Sequence, residues 1–205
     1  MLSMLIDHSG IILFPQYSIL RIIGRISFPL FAYQIGVGVK HTGNVKRYFL
    51  RLFLFGSAMQ LGYALVAPSI GEDPWSMNIL FTLAWGVGAI VCYERKWYAL
   101  LLGIIALPFI SVLAGVTFDY GAYGILLIFG MYLLQENFRN LALYVILLTV
   151  ITCIAWNDPI QLYSTVALIF IAKSFSVKMN IHWSVFYLFY PLHLVALQFI
   201  SELPI

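Results

Sequence analysis

Apolar residues run along the chain in continuous stretches, broken only by short polar or Pro/Gly-rich punctuation. The stretches fall near 1–14, 19–39, 49–68, 77–93, 97–115, 122–135, 141–156, 160–173 and 183–201. They lack both the alternation of a half-buried strand and the short alternating segments of a transmembrane barrel, so helices are expected throughout. The first, sixth and eighth runs fall short of the roughly 20 apolar residues that cross a 30 Å hydrocarbon core, so eight to ten crossings fit the pattern. The expected fold is an all-α, polytopic integral membrane bundle of about nine transmembrane helices. No internal repeat, low-complexity tract or linker divides the sequence, and residues 1–205 are expected to form a single domain.

Composition narrows the class. The chain is 62% hydrophobic and only 9% charged, with a mean hydropathy of +0.96. Soluble domains carry roughly a quarter charged residues, and a surface this poor in charge could not be wetted. The net charge of +3 is small and scattered, which argues against a nucleic-acid partner. Cys92 and Cys153 lie inside apolar runs, so neither a disulfide framework nor a metal site is expected. Residues 1–15 hold Asp7 and His8 but no basic region or small-residue cleavage site, and are not read as a cleaved signal.

Charge also sets the expected orientation. Lys40, Lys46, Arg47 and Arg51 follow the second run, Arg95 and Lys96 the fourth, Arg139 the sixth, and Lys173 and Lys178 the eighth. These are nine of the 11 Lys and Arg residues, all on alternate connections, which the positive-inside rule makes cytoplasmic. Glu72, Asp73, Asp119 and Asp158 mark the opposite side, and Glu202 follows the last run. Nine crossings with the N-terminus inside and the C-terminus outside fit, in an inner or plasma cell membrane.

The two remaining basic residues, Arg21 and Arg25, lie in the outer half of the second run, where each would cost about 3 kcal/mol facing lipid. Spaced i, i+4, they share one helix face and reach a single anionic partner or pocket. Asp7 and His8 lie in the first run and His193 about ten residues into the last. At about 1.5 Å per residue, His193 falls near the midplane, and His8 and Arg25 lie nearer the outside. Together they point to a shared polar cavity with Asp7, His8, Arg25 and His193 as catalytic candidates. Residues i and i+1 point about 100° apart on a helix, so Asp7 is expected to pair with Arg21 or Arg25 and His8 to find its partner on another helix. The other histidines, His41 and His182, belong to cytoplasmic connections.

On the inner side, Asn44 is a candidate N-cap ahead of Lys46, Arg47 and Arg51, and Lys40 and His41 precede it. Cations at a helix start can hold phosphates, or can be an ordinary positive-inside loop. Arg21, Lys40, His41, Lys46, Arg47 and Arg51 are the candidate anion-binding set. Gln60, Tyr63 and Asn78 either line the cavity or knit helices together.

Several segments carry a family resemblance. Met4–Gly10 with Leu13-Phe14-Pro15, Leu20–Ala32, His41–Asn44 with Tyr48–Leu52, and Tyr190-Pro191-Leu192-His193-Leu194 resemble the TraX family in order and spacing. The match is dense over 4–63 and 187–194 and thin between. The resemblance implies an acetyltransferase, similar to the acyltransferase-3 enzymes and to heparan-α-glucosaminide N-acetyltransferase. It implies cytoplasmic acetyl-CoA as acyl donor, and a pilin-type amine as the family's precedent for the acceptor. It maps a catalytic histidine onto His8, a Phe-Pro helix onto Phe28-Pro29, a donor-binding segment onto Lys46, Arg47 and Arg51, and a late histidine onto His193.

The residues agree with that implication: an anion site inside, a histidine base within the bilayer, and an opening outside for a peptide amine, a glycan or a lipid headgroup. The base is assigned to His8, with His193 in support. Two other classes stay open, a proton-coupled small-molecule transporter and a non-enzymatic membrane assembly factor. Assembly as a homo-oligomer is compatible with either.

Overall fold

The computed structural model describes residues 1–67, 73–173 and 183–202; Glu72, Lys178 and His182 lie outside them. The helices are α1 (Leu2–Ile12), α2 (Ser18–Gly24), α3 (Ser27–His41), α4 (Val45–Val66), α5 (Ile79–Glu94), α6 (Tyr98–Ser111), α7 (Gly121–Leu134), α8 (Phe138–Trp156), α9 (Ala167–Ala172) and α10 (Trp183–Ser201). A 3-10 helix, Pro159–Val166, leads into α9. Two-residue strands, Ser76–Met77 and Thr117–Phe118, pair in parallel, Ser76 opposite Thr117. Among the described residues the fold is otherwise helical, and each apolar run of the sequence becomes helix.

Two runs are built differently from a plain helix. The second is interrupted at Arg25 and Ile26. Pro29, in the first turn of α3, has no N–H to give the Arg25 carbonyl, and its ring crowds that carbonyl, so α2 stops and α3 restarts. The eighth begins as 3-10 helix because Asp158 caps it through the Ile160 N–H (3.0 Å), Pro159 opens it, and Tyr163-Ser164-Thr165-Val166 are weak α-formers.

Among the described residues, two helical stretches are long and apolar enough to cross a membrane: Ser18–His41, counted through its turn, and Phe138–Trp156. On α8 one face carries Leu143, Leu147, Ile151 and Ile154, each more than half exposed. Their spacing of four, four and three makes a continuous apolar stripe.

The chain divides into two compact units, one of residues 1–31 with 146–205 and one of residues 32–145. In the first, α1 lies against α2 and α10, and α2 lies against the 3-10 helix. Glycines permit the α1–α2 approach: a Cβ at Gly10 would fall 2.7 Å from that of Leu20, and one at Gly24 would overlap the Asp7 side chain. The clash at Gly24 involves the Asp7 Cβ, which cannot swing aside, so Gly24→Ala is expected to destabilise the protein by about 1–3 kcal/mol. Thermal unfolding in detergent checks this against Gly103→Ala, which meets open space in α6 and should be neutral or slightly stabilising.

In the second unit α5 is the central helix, packed by α4, α6 and α7. Ala84, Val87, Ala89 and Ile90 are fully buried along it. Gly130 leaves room for the Tyr144 ring, whose hydroxyl donates to the Leu126 carbonyl at 2.8 Å.

Candidate polar site of the first unit

The histidines of the first and last apolar runs meet. His8 Nδ1 lies 2.8 Å from His193 Nε2, and His193 Nδ1 lies 2.6 Å from the Phe189 carbonyl. His193 is buried, its ring stacked on Phe189 at 4.7 Å between centroids.

The protons on this chain can be assigned. A carbonyl only accepts, so His193 Nδ1 carries the hydrogen and donates to Phe189. Neutral His193 then has its lone pair on Nε2, which accepts from His8 Nδ1–H. His8 Nε2 is left with the lone pair, the state a general base needs. The Phe189 contact also shows what fixes His193: a side chain within the turn that contains Pro191 reaches back to a carbonyl of its own helix.

Charged residues flank the pair. Arg21 Nε stands 3.7 Å from Asp7 Oδ1, while Arg25 Nη2 donates to Asp158 Oδ2 at 3.3 Å. The charges of both arginines act on Asp7, as their i, i+4 spacing suggested, while the turn at Arg25 also brings its guanidinium to the cap of the 3-10 helix. Asp158 thus both caps that helix and holds Arg25. The sequence signal for it was an Asp directly before Pro159, the signature of a cap. Gln161, fully buried on the same 3-10 helix, was also missed; a lone amide in the eighth apolar run was the visible sign.

A cleft of about 580 Å³ opens between α2 and the 3-10 helix, lined by Ser18, Ile22, Pro159, Ile160, Leu162, Tyr163, Thr165 and Val166. Its walls are largely apolar, with three hydroxyls. Among the described residues, no three His, Cys, Asp or Glu side chains gather as a metal site.

The cations around the start of α4 lie on the second unit. Asn44 caps α4, its Oδ1 accepting from the Arg47 N–H at 2.9 Å. Lys46 and Arg47 are exposed in the first turn, and Arg51 is half-buried beside the Tyr48 ring at 5.8 Å. Lys40 Nζ donates to Glu136 at 2.8 Å and stands over the Tyr132 ring. That hydrogen bond and charge hold the Glu136 carboxyl below its ordinary range. His41 is exposed at the end of α3.

The expected cavity liners Gln60 and Asn78 take the knitting role. Gln60 Nε2 donates to the carbonyls of Pro74 and Ser76, both at 3.0 Å, and its Oε1 accepts from Asn78. Asn78 Nδ2 also donates to the Gly56 carbonyl, and its Oδ1 caps α5 at Leu80. These amides hold the α4–α5 connection. Tyr63 lies on α4 in the same unit.

Comparison with known proteins adds a lineage. The family described as TraX protein matches residues 1–201. Among curated relatives, the Probable fimbrial assembly protein FimC, serogroup H1, of Dichelobacter nodosus is 27% identical over 136 residues, 61% of this chain and 55% of the relative. Protein TraX of Escherichia coli is 27% identical over 154 residues, 72% of this chain and 59% of the relative. The chain thus spans little more than half the length of these relatives. No solved structure matches it.

Proposed function

Because the chain belongs to the TraX family, we propose that it is a multi-pass membrane acetyltransferase, a small relative of the acyltransferase-3 enzymes. It takes acetyl from cytoplasmic acetyl-CoA and delivers it to an acceptor at the other face of the cell membrane. The observation that carries this reading is the His193–His8 relay, which leaves an acceptor lone pair on His8 Nε2. The apolar stripe of α8 supports placement in a bilayer.

In the proposed step, His8 Nε2 takes the proton from the acceptor nitrogen or hydroxyl as that atom attacks the thioester carbon. The new C–N or C–O bond forms and the C–S bond breaks. The proton then passes from His8 to the departing sulfur, so His8 returns to its starting state. Accepting from His8 Nδ1–H, His193 stabilises the imidazolium that forms in between and fixes the ring. The cleft beside α2 is the proposed acceptor entrance, since its lining residues Ser18 and Pro159 belong to connections expected outside. One relative is named for fimbrial assembly, and a fimbrial or pilin-type subunit amine is accordingly the proposed acceptor.

Lys46, Arg47 and Arg51 are proposed to bind the phosphates of the donor through charge-assisted hydrogen bonds. Titrating acetyl-CoA into the purified protein tests this. Arg51→Gln should raise the dissociation constant at least about tenfold, or about 1.4 kcal/mol. An unchanged constant at low salt refutes the phosphate assignment.

A further inference from the structure

The connections of the second unit sort by charge. Lys40, near the end of α3, reaches Glu136 just beyond α7, and Tyr132 of α7 donates to Glu94 at the end of α5 at 2.9 Å. The α3–α4, α5–α6 and α7–α8 connections therefore gather at one end of the unit. At the other end, the pairing of Ser76–Met77 with Thr117–Phe118 joins the α4–α5 and α6–α7 connections. Every Lys and Arg of residues 32–145 lies in the first set of connections or within two turns of them, accompanied by Glu94 and Glu136 as acids. Asp73 and Asp119 lie at the other end, which holds no Lys or Arg among the described residues.

Within the basic end, the α5–α6 turn has the composition of a headgroup contact. Residues 93–100 are exposed without interruption, Tyr93, Trp97, Tyr98 and Leu100 among them. Amphipathic rings of this kind settle at the level where headgroups meet hydrocarbon. Arg95 stands over the Trp97 ring at 4.9 Å, which holds its guanidinium beside the indole. Lys40 is engaged by Glu136, but Arg95 and Lys96 have no carboxylate partner among the described residues. Glu94, their acidic neighbour, accepts from the Tyr132 hydroxyl instead.

Two cations without acidic partners, set among exposed rings, match an anion that brings apolar matter with it. The phosphodiester of an anionic phospholipid is such an anion: its oxygens suit the guanidinium fork and the ammonium, and its chains suit the tryptophan, tyrosines and leucine. A soluble phosphate fits less well. With every residue from 93 to 100 exposed, the turn offers no walls to strip water from it, whereas a bilayer surface presents headgroups already concentrated.

We propose that the α5–α6 turn is a binding site for anionic phospholipid, Arg95 and Lys96 meeting the headgroup phosphate while Tyr93, Trp97 and Tyr98 lie at headgroup depth. This rests on the membrane placement of the proposed function and on none of its chemistry.

The test uses the full chain purified in detergent and titrated with phosphatidylglycerol or phosphatidylcholine in mixed micelles, bound lipid being counted by native mass spectrometry. Wild type should bind phosphatidylglycerol at least about tenfold more tightly, with the preference shrinking as salt rises. A basic residue near anionic lipid is worth roughly fivefold, so Arg95→Gln with Lys96→Gln should cost about tenfold or more for phosphatidylglycerol and leave phosphatidylcholine within about twofold. Lys96→Gln alone should cost about fivefold, and neither variant should melt below wild type, because both side chains are exposed. Equal binding of the two lipids by wild type, or unchanged phosphatidylglycerol binding by the double variant, overturns the site. So does a double variant that loses affinity for CoA while keeping its lipid preference, since the turn then serves a soluble phosphate. A wild type that holds neither lipid and stays dispersed without detergent removes the membrane placement and this site with it.

Discussion

Replacing His8 with Ala should lower acetyl transfer by about 10²–10⁴ while leaving acetyl-CoA affinity within a few-fold. The reason is the direction of the relay. Phe189 fixes the proton of His193 on Nδ1, and His193 in turn draws the His8 proton to Nδ1, so His8 Nε2 is the free base. Ala at His193 should cost less, because it removes the partner that holds the base and not the base itself. Gln at position 193 can still offer a carbonyl oxygen to His8 Nδ1–H, and its rate should fall between Ala and wild type. Transfer rates measured with a peptide amine rank the variants. A His8→Ala protein with near-normal rates would hand the base to His193.

Asp7→Asn should act on stability first. Arg21 keeps its charge while losing the carboxylate 3.7 Å away, in a region where both side chains are largely shielded. Removing one member of a buried pair costs about 3–5 kcal/mol, and the partial exposure of Arg21 reduces the expectation to about 1–3 kcal/mol. At roughly 2–4 °C per kcal/mol for a chain of this size, the loss is visible in a thermal scan. Adding Arg21→Gln to Asp7→Asn should recover part of it, since the unpaired cation is then gone. An Asp7→Asn protein with wild-type melting, intact acetyl-CoA binding and no transfer would place Asp7 in the chemistry instead.

The helical segments were legible because continuous apolar runs leave few alternatives, and every run became helix. The break in the second was not read, although Pro29 stood in plain view. The length of the run suggested one crossing, and a proline in a first turn does not announce whether the preceding helix ends before it. The 3-10 start of the eighth run escaped for a related reason, since periodicity does not separate tight from regular winding over eight residues.

Site residues divide in the same way. The meeting of His8 with a residue on another helix followed from the 100° rotation between neighbours, which denied Asp7 that role. The partner of Arg25 did not follow, because Asp158 is 133 positions away and only the turn at Arg25 brings them together. Gln60 and Asn78 looked like candidate liners, yet each amide is matched at the α4–α5 connection; sequence shows that a polar group must be satisfied and not by what.

The central claim is tested most directly by giving the purified full chain acetyl-CoA labelled in its acetyl group, with and without a peptide amine, and following free CoA and label together. The account predicts slow CoA release without acceptor, faster release with it, and label on the amine in equal amount. No release of CoA and no label on the amine, from a folded protein saturated with donor, would contradict it.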